Sequence, residues 1–455
     1  MFKRRGNDMP KDLRRLRPVF SRWMSLRHWR SQLVFWIGGL LVGVVAVLVA
    51  KVADGAQALF HLGVAKVGWL PLVITPVGFA ISAFAARRWF PGSQGSGIPQ
   101  VIAATEIVRH NPKGLDRLVS LRVVLGKTAL LFLGLLTGAS IGREGPTVQI
   151  GAALMRMTGR IGGIVSNESA LLLAGGAAGV AAAFNTPLAG IVFAIEELGK
   201  SFEQRTSGTV IFTVMLAGIA SLGMVGDYIY FGHSDAHLQP LPDTLAVLVC
   251  GLGGGALGGL FARILVFCNK RLGRVFNGFF ERRRILFAAL CGLSVALIGV
   301  VSGTDIFGTG YSEARSLLGG ADTGSPLFGV LKWVSTLLSS ASGIPGGLFA
   351  PSLSTGAGLG ADMHWLLPVA PLGTMVLLGM VAYFSGVVQS PLTSFVIVME
   401  MTNSHNMVMP LIAASVLAYS VSRLICPRPL YHSLSQTFID EERRMRRSEA
   451  ASTGA

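Results

Sequence analysis

Four islands rich in glycine or proline interrupt the apolar stretches of this chain, and one of them sets opposite charges side by side. GREGP, Gly142 to Pro146, sets Arg143 beside Glu144 between TALLFLGLLTGASI and TVQIGAALM. The others are GSGIP (Gly95 to Pro99), GIPGGLFAP (Gly343 to Pro351) and PRPLYHS (Pro427 to Ser433). In the first two, and at the GLFAP end of the third, a proline stands where a helix can begin, since its fixed φ and missing N–H suit the first turn. A helix start inside an apolar layer leaves N–H groups without acceptors and presents the positive end of the macrodipole. Glycine lets the backbone come close to a ligand, so several converging starts can hold an anion without a fully buried cation. Glu144 adds a protonatable group at a depth where charge is expensive and ordinarily lines a pathway. Plain structural alternatives stand beside this: kinks for the islands, a helix cap for Ser96, an interfacial anchor for Tyr431, and a helix end near water, beside Lys200, for Glu197.

The elements that must position these residues are helices in a membrane. Of 455 residues 51% are hydrophobic and 14% charged, and the mean hydropathy is +0.59, which excludes an ordinary soluble domain. Apolar runs recur from Leu33 to Ala53 through to Met409 to Ile425, many near the roughly 20 residues that cross a hydrocarbon core. The 58 glycines and 20 prolines favour broken, closely packed helices over straight rods. The net charge of +16 lies largely in flanks, from Lys3 to Arg30 and from Arg443 to Arg447. Basic flanks beside spans place both termini in the cytoplasm and contact anionic lipid; they do not point to nucleic acid. The first run follows a basic arm of about thirty residues and has no small-residue cleavage pattern, so it reads as an anchor rather than a signal peptide. Cys250, Cys268, Cys291 and Cys426 lack CxxC spacing, and neither a disulfide nor a metal site is expected.

The chain also repeats itself. Pro187-Leu188 precede Glu196-Glu197 by the spacing at which Pro391-Leu392 precede Glu400, 204 positions later. Pro146 precedes Gly151-Ala152 as Pro351 precedes Gly356-Ala357, at an offset of 205, and GSG at Gly95 matches GTG at Gly308 at a longer spacing. Such repeats are often inverted across the bilayer, with a binding site at their interface. Asp227, His233, Asp235, His237 and Pro240 read as the polar connector between halves. No nucleophile-base motif, HExxH or phosphate loop is present, so an enzyme is not expected. A cation or organic-solute carrier is disfavoured by the few candidate carboxylates at depth, Glu144, Glu196, Glu197 and Glu400.

GSGIP, GREGP and GGLFAP, in that order and followed by a PLY tyrosine, closely resemble the signature stretches of the CLC family of chloride channels and chloride/proton antiporters, in its prokaryotic short form. The resemblance implies an all-α polytopic membrane protein of two inverted repeats of tilted, partly broken helices, assembled as a homodimer in a bacterial-type inner membrane. Its domains would be a basic arm (1–30), one membrane domain (31–440, halves about 31–232 and 243–433) and a short cytoplasmic tail (441–455) without nucleotide-binding modules. It further implies that Ser96 and Tyr431 hydroxyls, N–H groups at Leu348 and Phe349, and Gly145 contact the anion. Glu144 would be the extracellular gate, and Glu197 the inner proton acceptor that favours antiport over a passive channel. Chloride is the expected substrate, with protons as its counterpart and no resident cofactor. Serine at position 96 goes with chloride preference in that family. The chain departs from the family in reading QVIAATE after GSGIP, which leaves Lys127 without an obvious carboxylate partner; Glu106 is the candidate.

Overall fold

The computed structural model describes residues 26–164, 167–199, 204–226, 229–232, 242–270, 283–303, 306–320 and 327–453. The basic residues from Lys3 to Arg22, Lys200, and Asp227, His233, Asp235, His237 and Pro240 of the connector lie outside them. The described residues are helical, with no strand beyond one isolated bridge between Gly142 and Gly347.

The helices match between halves. α1 (Leu26–Lys66) corresponds to α9 (Pro242–Lys270), α2 (Pro71–Arg88) to α10 (Arg284–Ser302), and α3 (Ile98–Ile107) to α11 (Tyr311–Leu318). α4 (Leu121–Leu136) corresponds to α12 (Phe328–Ala341), α5 (Glu144–Ile161) to α13 (Phe349–Leu366), and α6 (Glu168–Phe184) to α14 (Leu372–Val388). α7 (Pro187–Phe193) and α8 (Gln204–Val225) correspond to α15 (Pro391–Thr402) and α16 (Val408–Ile425); α17 (Leu430–Thr453) closes the chain and continues beyond residue 441.

Reciprocal contacts establish a twofold relation between the halves. Gly142 N–H donates to Gly347 O at 2.8 Å, and Gly347 N–H donates to Gly142 O at 2.7 Å. Glu400 accepts from Leu188 and Ala189 N–H (3.2 and 2.8 Å), while Glu196 accepts from Leu392 and Thr393 N–H (3.1 and 2.6 Å). Each carboxylate satisfies the open N–H groups at the start of the other half's short helix.

The sequence repeat is a packing repeat. Gly151 of α5 meets Gly175 of α6, and Gly356 of α13 meets Gly379 of α14; a Cβ on Gly356 would stand 2.7 Å from the Gly379 carbonyl oxygen. Small residues at such crossings let backbones touch, the usual basis of helix association where lipid removes the hydrophobic drive. Apolar runs that look continuous in sequence are broken: α4 and α5 are separated by GREGP, α6 ends on Asn185 (φ 57°) and α14 on Gln389 (φ 62°). The Gln389 amide donates to Ser422 Oγ (2.9 Å) and Cys426 O (2.7 Å), which anchors a left-handed position glycine would otherwise favour.

Among the described residues, six helical segments are long and apolar enough to cross a membrane. Ile37 and Leu48 on α1, with Ile219 on α8, Leu252 on α9 and Leu424 on α16, are exposed apolar side chains suited to lipid. By contrast α6 and α14 are buried almost all round, as are the first three turns of α5 and α13, so these helices form the centre.

Candidate anion site

Three helix starts converge at the centre. The turn before α3 uses Gly95 (φ 64°) and Gly97 (φ 111°), conformations that glycine adopts at little cost. Lys127 of α4 fixes that turn: fully buried, its ammonium donates to the carbonyls of Ser93 (2.7 Å) and Gly95 (2.6 Å). Glu106 is not its partner, contrary to the expectation from sequence; Glu106 sits near the far end of α3, 3.8 Å from Arg443. Carbonyl oxygens satisfy the ammonium without requiring a second buried charge.

Gly142 and Gly347 then bring the starts of α5 and α13 together. A Cβ on Gly145 would stand 3.1 Å from Gly347 Cα and nearer still to Ser96 Oγ, so Gly145 is what lets the three starts approach. Ser96 is buried, its hydroxyl has no hydrogen-bond partner, and the α3 cap position is Gly97 without a side-chain cap; Ser96 is not a helix cap. Tyr431, in the first turn of α17, is fully buried rather than interfacial. Its ring packs 6.2 Å from that of Phe349, and its hydroxyl lies next to that of Ser96. Leu348 is the cap and Phe349 the first residue of α13, positions whose N–H groups have no acceptor within the helix. Ser96, Gly145, Leu348, Phe349 and Tyr431 therefore share one locality.

Glu144 opens α5 and is fully buried. Its Oε2 accepts from Ala350 N–H of α13 at 3.4 Å, and its Oε1 has no hydrogen-bond partner. The carboxylate thus lies on the start of the opposite half's helix. Its neighbour Arg143 turns away: Nη1 donates to Ala50 O (2.8 Å) and Asp54 Oδ1 (2.5 Å), and the guanidinium lies 5.9 Å from the Tyr230 ring centroid.

Glu196 and Glu197 sit on a π turn, Ala194–Leu198, that sends adjacent side chains apart. Glu196 is taken up at the start of α15, whereas Glu197 is buried and accepts from the Ser390 hydroxyl. Glu197 is not a helix end in water. Both Glu144 and Glu197 lie within electrostatic reach of the Tyr431 hydroxyl. Ser390, Asp54 and Tyr230 carried no signal in sequence; Glu400 did, as the repeat partner of Glu196.

Comparison with known proteins identifies the family. Residues 78–423 match the family model described as voltage gated chloride channel. A curated relative, the H(+)/Cl(-) exchange transporter ClcA of Yersinia pestis bv. Antiqua (strain Angola), is 32% identical over 429 residues, covering 89% of this chain and 87% of the relative. Among solved structures, a slow cyanobacterial Cl-/H+ antiporter superposes with a TM-score of 0.78 at 24% identity, covering 90% of this chain and 98% of that one. A CLC-type fluoride/proton antiporter gives 0.75 at 21% identity, covering 90% and 99%. The chain is an integral membrane protein and belongs to the voltage-gated chloride channel family.

Proposed function

We propose that this protein exchanges chloride for protons across a membrane. The observation that carries the reading is the Glu144 carboxylate resting on the Ala350 N–H beside Ser96, Gly145 and Tyr431. An ionised carboxylate at a helix start is itself an anion and competes with chloride for that place. Protonation removes its charge, chloride takes the position, and one side chain answers to both substrates. Ser96 and Tyr431 hydroxyls, with the N–H groups of Leu348 and Phe349, supply donors for the anion. Glu197, which accepts from the Ser390 hydroxyl, receives the proton on the other side.

Two buried acids within electrostatic reach of one hydroxyl favour exchange over a passive channel, which needs no inner acid. The relatives described as chloride/proton exchangers support the same choice. The protein would act as a homodimer in the inner membrane, in lipid contact, with both termini cytoplasmic. It would use no cofactor, and nucleic acid and catalysis have no part in this reading. The test is simultaneous measurement of chloride and proton flux in proteoliposomes. Proton movement driven by a chloride gradient is expected; chloride flux with no proton flux would leave the passive channel instead.

A further inference from the structure

The twofold relation copies the anion site onto the opposite face. Gly308 (φ 59°) and Gly310 (φ 70°) repeat Gly95 and Gly97, and Lys332 clasps the carbonyls of Ile306, Phe307 and Gly308 (2.8, 3.2 and 2.9 Å) much as Lys127 clasps Ser93 and Gly95. Thr309 therefore stands where Ser96 stands. Tyr230 follows α8 as Tyr431 follows α16, and it packs beside Arg143 as Tyr431 packs beside Phe349. Arg143 itself matches Leu348, the cap of the other central helix.

The copied elements line a cavity of about 440 Å³ with Lys51, Asp54 and Gln57. Glu144 is not part of its lining, so the cavity is distinct from the place its carboxylate occupies. Two differences set this copy apart. Thr309 gives both its N–H and its hydroxyl to Gln57 Oε1, each at 3.2 Å, so a built-in oxygen occupies the hydroxyl whose counterpart at Ser96 has no hydrogen-bond acceptor. In exchange the copy holds a real cation: the Arg143 side chain is only 7% exposed, and its Nε is buried with no hydrogen-bond partner. Asp54, which takes Nη1, is 67% exposed, so its charge is screened by water while the arginine at the cavity floor is not. Lys51 adds a second positive charge at the rim.

We propose that this cavity is a second anion site, on the face opposite Ser96 and Tyr431, which loads a small inorganic anion such as a halide or nitrate before it reaches the Glu144 position. Arg143 holds the anion and Lys51 attracts it; Asp54 competes with it for the guanidinium. The volume exceeds that of a bare halide, so the anion keeps part of its hydration there. The inference rests on the anion-transport reading.

Bromide tests it, using crystals of the full chain and flux across reconstituted bilayers. Anomalous scattering should place one bromide between Ser96 and Tyr431 and another in the cavity beside Arg143, the second absent in Arg143→Gln. When bromide is varied on the Arg143 face, Lys51→Gln should raise the half-saturating concentration about two- to fivefold, the worth of one exposed charge. Asp54→Asn should lower it by a similar factor, a gain that mere loosening of the fold does not produce, and neither variant should shift the value measured from the Ser96 face. Bromide at Ser96 and Tyr431 but none in the cavity overturns this inference alone, as does a rise in both variants. Bromide at neither place overturns the transport reading with it.

Discussion

The two halves share a backbone and differ in chemistry. Each has a glycine turn clasped by a buried lysine, a central helix that begins against its counterpart, and a glycine crossing to the next helix. At matched positions, however, the first half carries Glu144 and Glu197 where the second carries Phe349 and Met401. In the proposed function the symmetric part supplies a cradle of N–H groups for an anion. The asymmetric part adds protonatable acids to one half only, which makes a symmetric cradle directional. Phe349 shows what the other half does with the same place: its ring packs against Phe384 (4.9 Å), Phe193 (5.8 Å) and Phe184 (6.0 Å), forming an apolar centre rather than a gate.

Substitutions that erase or exchange these differences test the comparison. The largest effect is expected from Glu144→Gln, which removes the titratable group: proton flux in proteoliposomes should fall to the leak of empty vesicles while chloride flux persists. Glu197→Gln should reduce proton flux about tenfold or more with chloride flux retained, the loss of one proton-transfer group; equal loss of both fluxes would make Glu197 structural. The lysines probe the symmetric part. Lys127→Met and Lys332→Met each strand buried carbonyls, so each should cost about 2–5 kcal/mol in detergent-solubilised thermal unfolding. Only Lys127→Met should also weaken halide binding by calorimetry, because only its turn carries Ser96. The smallest effect is Ser96→Ala, which should weaken halide binding about fivefold, near 1 kcal/mol for one hydroxyl donor. Thr309→Val should leave binding at Ser96 and Tyr431 unchanged.

Much of the architecture was legible because the repeat falls on residues with backbone jobs. Pro146 and Pro351 mark helix starts, and Gly151 and Gly356 mark crossings, so two short matches located the central helices of both halves. The islands were legible for the same reason: glycine and proline report local φ and missing N–H groups, which sequence carries directly. Partners were not legible. Glu106 is nearer to Lys127 in sequence than most acids, yet the ammonium chose carbonyls that the turn folds over it. Glu196 and Glu197 are neighbours of one type, and only the π turn separates a helix cap from a buried acid.

The sequence by itself determined that helices begin within an apolar layer, that two halves share a pattern, and that Glu144 stands at one such beginning. These depend on local backbone preference and hydropathy, which act over a few residues. Tertiary structure alone decided that Glu144 rests on Ala350, 206 residues away, that Ser96 and Tyr431 face one another, and that Arg143 turns to Asp54 instead of to its neighbouring acid. Those outcomes follow from how two halves dock around a twofold axis, a long-range packing solution that no local stretch encodes.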